Sequence, residues 1–555
     1  MSKHPRILVI GGVAGGASAA TRARRCNEHA EITLLEKDGY VSFANCGLPY
    51  YLGGEIVERE KLLVAKPALF ENRFRIRVKQ LHEAIRIDRE KKAVEGVNHE
   101  TGERFVEMYD KLILAPGAAP IIPELPGANA DNVFALRNVE DTDAIKAFLD
   151  TRKPARAVVV GAGFIGLEMV EQFHRLGIAV DVVELAPQLL APLDPEMAGM
   201  VEETLRKHGV GVYVGTGLKA FQCEGTSVTG VVLDNGLGLP ADMVVLGMGV
   251  RPSVTLAMDA GLEIGPTGGI AINAYCQTND PDIYAAGDAV EYPLTYADTP
   301  MRVPLAGPAN RAGRTAGEHA ATGKAQPLGR VQGSAIVRVF DVTAASTGMS
   351  EKAAARLGKT AASVVVTGAH HAGYYPGAER LVLKLIYDPA GGKVLGAQAA
   401  GGAGVDKRID VIATALHFGA TVYDLATLDL CYAPPFGSAK DPVHMAAFVA
   451  CNHLDGLVPV AAPRVPLDGM QLVDVRTEEE VACMRLPGAI HIPIEQLRAE
   501  LGQLDPSLPT AVLCHSGLRS HLGARILMQH GFDHVVNITG GMFLQQYARP
   551  ELVER

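Results

Sequence analysis

Short apolar runs, many of them ending in glycine, alternate with helical stretches along most of this chain. Residues 6–10 (RILVI) form a continuous apolar strand that enters GGVAGGASAATRARR, a glycine loop opening a helix. Residues 31–35 (EITLL) form the next strand, and Glu36 follows it. Residues 112–118 (LILAPGA) read as a strand running into a tight turn. The strand–glycine–helix pattern returns at residues 157–168 (AVVVGAGFIGLE), and the strand at 180–183 stops at Glu184. Residues 246–252 (LGMGVRP) and 283–289 (IYAAGDA) follow in order. Apolar strands at 334–340 and 381–387 alternate with helical patterns, and residues 511–520 (AVLCHSGLRS) run from a strand through a loop into a helix. The pattern predicts an α/β protein containing two dinucleotide-binding folds of the Rossmann kind.

A length of 555 residues leaves room for about three or four domains. Hydrophobic residues make up 48 % and charged residues 21 %, as in globular proteins with sizeable cores. The formal net charge of −10 comes without a basic or acidic tail, which argues against nucleic acid or an anionic membrane surface as a partner. No apolar run reaches the ~18 residues of a spanning helix. The first strand passes straight into Gly11-Gly12, so no cleavable apolar segment is expected. The eight cysteines are scattered over the whole length, unlike a disulfide framework or a metal cluster. No metal site is expected, and a reducing cytoplasm is the expected location.

Candidate chemistry centres on SFANCGLPYY, residues 42–51. Cys46 stands just ahead of what reads as a short helix with Pro49 in its first turn. A thiol there faces the positive end of the helix dipole, which favours thiolate. A reductase working through a cysteine pair, as glutathione reductase does, would carry its second cysteine five residues on, where this chain has Tyr51. Redox work at Cys46 therefore requires a sulfur partner from outside the loop.

Gly11, Gly12, Gly15 and Gly16, with Glu36 twenty residues after Gly16, form a dinucleotide fingerprint in which Val13 replaces the usual middle glycine. Glycine lets backbone approach a pyrophosphate, the helix dipole holds its charge, and the acid takes ribose hydroxyls. The second loop is complete, with Gly161, Gly163 and Gly166. Glu184 after the next strand suits a ribose 2′-hydroxyl and repels a 2′-phosphate, so NADH is preferred over NADPH. Ser18, Arg22 and Arg25 are spaced i, i+4 and i+7 and share one helix face. That face reads either as solvated basic surface or as a clamp for an anionic thiol substrate, completed by Ser42 and Asn45.

Two glycine loops followed by the Gly287-Asp288 segment, in this order, resemble the pyridine-nucleotide–disulfide oxidoreductases over roughly residues 5–450. The cysteine loop resembles the coenzyme A-disulfide reductase branch, whose single cysteine forms a mixed disulfide with CoA. The resemblance implies FAD, NADH and CoA as cofactors or ligands. Cofactor contacts are implied at Gly11, Gly12, Gly15, Gly16, Glu36, Lys37, Ala115, Gly117, Gly161, Gly163, Gly166, Glu184, Gly249, Gly287, Asp288 and Pro304. CoA contacts are implied at Ser18, Arg22, Arg25, Ser42, Asn45 and Lys440. Segments 372–377 (AGYYPG) and 430–436 (LCYAPPF) match family segments in which two tyrosines, here Tyr374 and Tyr432, reach the partner subunit's disulfide site, so a homodimer is implied. A phenol there can donate a proton or hydrogen bond to a leaving thiolate. Phe74 stands near a family lysine proposed to bind substrate, a departure from the pattern. The sibling NADH oxidase and peroxidase group also uses one cysteine, cycling through a sulfenic acid. It carries a histidine in the first glycine loop, and residues 11–17 contain none.

The last ninety or so residues resemble a rhodanese domain, on residues 471–476 (QLVDVR), 487–493 (PGAIHIP), 511–520 and 539–542 (TGGM). The segment before Pro487 departs from the usual pattern, reading MRL. The loop after the strand ending at Cys514 points backbone N–H groups at the sulfur and stabilises thiolate or persulfide. Cys514 to Arg519 spans six residues, which fits a small sulfur anion, whereas the related phosphatase loops are one residue longer. The alternative is a rhodanese fold used only to dock a sulfur carrier.

The expected architecture is α/β: two Rossmann-like domains, an α+β dimerisation domain and a C-terminal rhodanese-like domain. The expected bounds are 1–150 and 251–330 for the FAD domain, 151–250 for the NADH domain, 331–451 for dimerisation, 452–466 for a linker and 467–555 for the rhodanese domain. The expected activity is FAD- and NADH-dependent reduction of CoA persulfide, polysulfide or CoA disulfide through Cys46, Tyr374 and Tyr432. Cys514 and Arg519 would deliver sulfane sulfur. The expected partners are small thiols, persulfides and polysulfides, and a sulfur-carrier protein.

Overall fold

The glycine turns of the first nucleotide fold gather at one edge of a parallel sheet. The structure is a computed structural model that describes residues 4–555. Five strands lie in the order Ile283–Ala285, Lys111–Leu114, Arg6–Ile10, Glu31–Leu35 and Ile76–Lys79, all parallel. The central strands are buried on both faces, which is why they read as unbroken apolar runs. Gly11, Glu36, Ala115 and Ala286-Gly287 each follow a strand, so they gather at the C-terminal edge of the sheet, where open α/β sheets bind ligands. The helix Ala14–Cys26 packs on the helix Ala306–Thr322 through alanine and glycine. A Cβ on Gly313 would strike the Gly15 carbonyl and one on Gly317 the Ala19 carbonyl, so small residues set this close crossing.

The second nucleotide fold places Ala179–Glu184, Arg156–Val160, Met243–Leu246 and Val133–Phe134 side by side in parallel. Its helix Phe164–Arg175 starts directly after the second glycine loop. Two antiparallel three-stranded sheets, within residues 82–108 and 218–240, complete these folds.

The chain forms two compact units, one running to Leu185 with Tyr213–Val331, the other made of Ala186–Val212 with Gln332–Arg555. Within the second, five antiparallel strands run in the order Ala335–Val339, Val342–Gly348, Val394–Gly401, Arg380–Tyr387, Ala362–Ala369. The last domain carries five parallel strands in the order Val460–Ala461, Val535–Ile538, Thr510–Leu513, Gln471–Asp474, Ile490–His491.

Two features differ from the sequence expectation. Residues 186–212 count with the second unit rather than with the rest of residues 151–250. A buried ion cluster ties part of this segment to the rest of its unit. The fully buried Lys384 ammonium lies 2.9 Å from Asp194 and 2.5 Å from both Glu196 and Glu351. Burial alone would discharge it, but three carboxylates outweigh that and hold its pKa up. Removing one partner of such a cluster costs about 3–5 kcal/mol, enough to fix the helix Pro195–Lys207 in place. The segment 452–466 is not a bare linker. The helix Pro442–Leu454 runs into it, and Val460–Ala461 pairs with Val535–Ile538 as a strand.

Candidate functional site

Cys46 lies in a 3-10 turn, Asn45–Gly47, that leads into the five-residue helix Leu48–Leu52. The stretch before it is pinned to the first glycine loop. Ser42 adopts a left-handed backbone (φ 48°), its N–H donates to the Gly12 carbonyl at 2.8 Å, and Asn45 Nδ2 donates to the Arg137 carbonyl at 3.0 Å. The short helix meets the helix Phe164–Arg175, where the Tyr50 hydroxyl donates to Glu168 Oε1 at 3.1 Å and Gln172 Nε2 to Glu55 Oε1 at 3.0 Å. The second glycine loop and the cysteine therefore share one packed substructure.

The expectation that the helix end favours a thiolate is overturned. Cys46 is solvent-exposed, yet the protein around it displaces enough water to push the thiol pKa up. The carboxylates of Glu168 and Asp288 push in the same direction, and Arg137 opposes them. A five-residue helix supplies too little dipole to reverse this. All eight cysteines are free, so Cys46 has no protein thiol to pair with.

The loops fit a flavin dinucleotide. Gly11 has φ +92°, and a Cβ there would strike the Ala115 carbonyl. A Cβ on Gly16 would strike the Gly11 carbonyl, while one on Gly15 would sit 3.4 Å from the Gly287 amide. Glu36 is buried and accepts the Gly12 N–H at 2.7 Å and the Asp38 N–H at 3.0 Å; burial pushes its carboxyl up against those bonds. Gly287 has φ +87° with open space before it, and burial likewise raises the neighbouring Asp288 carboxyl, which faces Arg137 at 3.7 Å. Arg137 also donates to the Ala118 carbonyl at 2.7 Å and would clash with a Cβ on Gly117. Gly249 (φ +97°) ends at the pairing of Val250–Pro252 with Ala118–Pro120, and its carbonyl accepts the Ile121 N–H at 3.0 Å. Pro304 is exposed ahead of the helix Ala306–Thr322, and Lys37 follows Glu36 on the surface.

In the second loop Gly161 has φ +106° and Gly166 packs against its carbonyl, while Gly163 opens onto free space at the helix start. Glu184 accepts the Ala162 N–H at 2.8 Å, which turns its carboxylate toward the loop.

The expected CoA residues are arranged less simply than the helix face implied. Ser18 donates to Asn310 at 2.6 Å, and Arg22 pairs with Glu318 at 2.6 Å. Arg25 lies over the Phe74 ring at 5.7 Å. Arg22 must therefore exchange a carboxylate for any anionic ligand. Lys440 is exposed in the other unit.

In that unit Tyr374 and Tyr432 come together, their hydroxyl oxygens 2.9 Å apart. The hydrogen bond with Tyr432 raises the Tyr374 phenol pKa, as a bond in which Tyr374 donates would. Both rings are exposed.

Cys514 is buried at the end of Thr510–Leu513, before the helix Leu518–Met528. Its sulfur accepts the Gly517 N–H at 3.0 Å. Ser520 Oγ lies 3.3 Å from the sulfur and 2.7 Å from Asn537 Oδ1, so its one proton serves either acceptor. Met542 N–H and Phe543 N–H tie down the carbonyls of Cys514 and His515 at 2.7 and 3.0 Å. Arg519 is held by both oxygens of Glu480 at 2.6 and 2.7 Å, which depresses the Glu480 carboxyl pKa to about 2. A cavity of about 320 Å³ beside the loop is lined by Cys483, Met484, His515, Met542 and Phe543 among others.

Sequence reasoning missed Arg137, Glu168, Glu480, Ser520 and Asn537. Glu168 stood inside the quoted second motif, Ser520 beside Arg519, and Glu480 in a Thr477-x-x-Glu480 capping box. Arg137 and Asn537 carry no local signal.

The description "pyridine nucleotide-disulphide oxidoreductase" matches residues 5–310, the dimerisation domain of that family residues 334–442, and a rhodanese-like domain residues 464–544. The coenzyme A disulfide reductase of Staphylococcus aureus (strain bovine RF122 / ET3-1) is 35 % identical over 446 residues, covering 80 % of this chain and 100 % of that protein. The reduced Bacillus anthracis CoADR-RHD structure superposes with a TM-score of 0.95 at 43 % identity, covering 100 % of this chain and 99 % of that one. The NAD-dependent persulfide reductase from A. fulgidus gives 0.90 at 39 % identity, covering 97 % and 99 %.

Proposed function

The chain belongs to the pyridine nucleotide-disulphide oxidoreductases, and on that footing we propose that it is an FAD- and NADH-dependent reductase of CoA persulfide, CoA disulfide or polysulfide, with a sulfurtransferase site at Cys514. The observation that carries this is the solitary thiol. Cys46 has Tyr51 where a second cysteine would stand, and none of the eight cysteines is paired. Its disulfide partner must arrive with the substrate. The relatives named for CoA disulfide and persulfide reduction supply that partner's chemistry.

Gly11, Gly15, Gly16, Glu36 and Asp288 would hold FAD, which when bound supplies the two-electron link between a nicotinamide and a disulfide. Gly161, Gly163 and Gly166 would cradle the NADH pyrophosphate, and Glu184 would favour NADH through the ribose. Cys46 carries the mixed disulfide with CoA. As thiolate it attacks the sulfur of a CoA disulfide or persulfide, and CoA thiolate or sulfide leaves. Ser18, Arg22, Arg25, Ser42, Asn45 and Lys440 would hold CoA. The exposed Tyr374, Tyr375, Tyr432 and Phe436 support a homodimer that covers them. In it, Tyr374 and Tyr432 would serve the other subunit's Cys46, and the phenol–phenol bond leaves one hydroxyl proton free to meet the leaving thiolate. At Cys514 an acceptor thiolate would take the terminal sulfur of a Cys514 persulfide, forming a new persulfide and returning Cys514 as thiolate.

Steady-state kinetics with NADH on CoA persulfide, CoA disulfide and polysulfide test this reading. Cys46→Ser is expected to lose about a thousandfold or more of kcat on all three, as removal of a nucleophile does. Sulfide release from CoA persulfide left intact in that variant would reject it.

A further inference from the structure

The loop between Ala362–Ala369 and Arg380–Tyr387 carries Tyr374, and two histidines at its base are joined side chain to side chain. The Glu379 N–H donates to His370 Nδ1 at 3.0 Å. A backbone amide can only donate, so Nδ1 must be bare and the neutral ring carries its proton on Nε2. That nitrogen lies 2.6 Å from His371 Nδ1, which must accept. His371 then carries its own proton on Nε2, which faces the Tyr375 carbonyl at 3.2 Å, a group that only accepts. Each ring nitrogen has one role, and the direction runs from the Glu379 amide to the Tyr375 carbonyl. His371 is 4 % exposed, and its ring meets the Tyr375 ring edge-on at 5.6 Å. The Tyr375 N–H closes the loop on the Ala372 carbonyl at 2.8 Å. The relay therefore grips the residue next to Tyr374, whose hydroxyl meets that of Tyr432.

The charged groups around the pair are engaged elsewhere. Arg408 donates to the His370 carbonyl at 2.7 Å and pairs with Asp441 at 2.8 Å, with Lys407 at 3.9 Å from the same carboxylate. The Glu379 carboxylate accepts the Ala403 N–H at 2.8 Å, and Arg380 lies over the Phe543 ring. An imidazolium bears N–H on both nitrogens. On His370 the second would meet the Glu379 N–H; on His371 it would meet His370 Nε2–H. Either proton turns one link of the chain repulsive.

We propose that His370 and His371 are positioning residues: their neutral, one-way relay holds the Tyr374–Tyr432 phenol pair, and protonation of either ring lets the loop go. This rests on the proposed role of those phenols. Acid supplies that proton, so the grip loosens as the pH falls.

The test pairs hydrogen exchange of residues 372–378 with turnover of CoA disulfide, in the full-length holoenzyme. In the wild type, exchange corrected for intrinsic rates is expected to rise about tenfold from about pH 7.5 to about pH 5.5 while kcat falls. With glutamine at both positions (His370→Gln together with His371→Gln) each side chain can accept on one side and donate on the other, so the chain from the Glu379 amide to the Tyr375 carbonyl is kept and neither residue can titrate. This double variant is expected to keep the loop protected at both pH values and to lose the acid-side fall in kcat. His371→Leu should expose the loop at both; if that variant fails to fold, the double glutamine variant against the wild type carries the test. Equal protection of the wild-type loop at both pH values overturns the relay. A loop that loosens without any change in kcat overturns its link to the phenol pair, and counts against the proposed role of Tyr374 and Tyr432.

Discussion

Cys46 and Cys514 are both single thiols at the start of a turn that leads into a helix, and their surroundings are built differently. Around Cys46 the crowding of the chain and the carboxylates of Glu168 and Asp288 raise the thiol pKa, against Arg137 and a backbone hydrogen bond to the sulfur. Around Cys514 the Gly517 N–H points at the sulfur and the Ser520 hydroxyl stands ready to. The second site carries donors to its sulfur within its own loop, an arrangement that suits the persulfide proposed for it. At the first, crowding and carboxylates outweigh the groups that favour a sulfur anion, which suits the proposal that its sulfur partner arrives as a ligand. One kind of residue meets crowding and carboxylates in one loop and hydrogen-bond donors in the other.

The comparison breaks first if the two thiols are interchangeable. Cys514→Ser is expected to abolish sulfur transfer from thiosulfate to cyanide, by about a thousandfold, with reduction of CoA disulfide changed less than about twofold. The same assays on Cys46→Ser should give the reverse. Equal loss of both activities in either variant would mean that one thiol serves both reactions.

The comparison is sharpened by removing a donor from Cys514. A hydrogen bond to a charged group is worth about 1.5–3 kcal/mol, and Ser520 shares its proton with Asn537, so Ser520→Ala should slow sulfur transfer by about tenfold. An unchanged rate would mean that Ser520 bonds only Asn537.

A smaller effect is expected at Cys46. A carboxylate disfavours a neighbouring thiolate, so neutralising it lowers the thiol pKa. In Glu168→Gln the pH midpoint for alkylation of Cys46, followed on its peptide, should move down by about half a unit. A midpoint that stays or rises would show that Glu168 is not what holds the thiol protonated.

Much of this was legible where the chemistry is local. Gly11, Gly161 and Gly287 need positive φ at the ends of strands, so the two nucleotide folds announce themselves in a dozen residues each. Cys46 and Cys514 could be found because each sits in its own short loop. What was not legible comes from residues distant in sequence. Lys384 gathers Glu196 from 188 positions away, which ties part of residues 186–212 to the second unit with no local mark. Arg137 reaches Asp288, and Asn537 reaches Ser520, from strands and turns whose own patterns say nothing of a site. The sign of the Cys46 environment was misread for the same reason. The helix dipole is visible in the local sequence, whereas Glu168 and Asp288 arrive only on folding.

The central claim is that Cys46 works with a sulfur partner supplied by a CoA ligand. Mass spectrometry of the Cys46 peptide from oxidised protein, kept under non-reducing conditions, tests it directly. The expected result is a CoA adduct on Cys46 that disappears when NADH is added. A sulfenic acid at Cys46, or a bond from it to another of the chain's cysteines, would contradict the account.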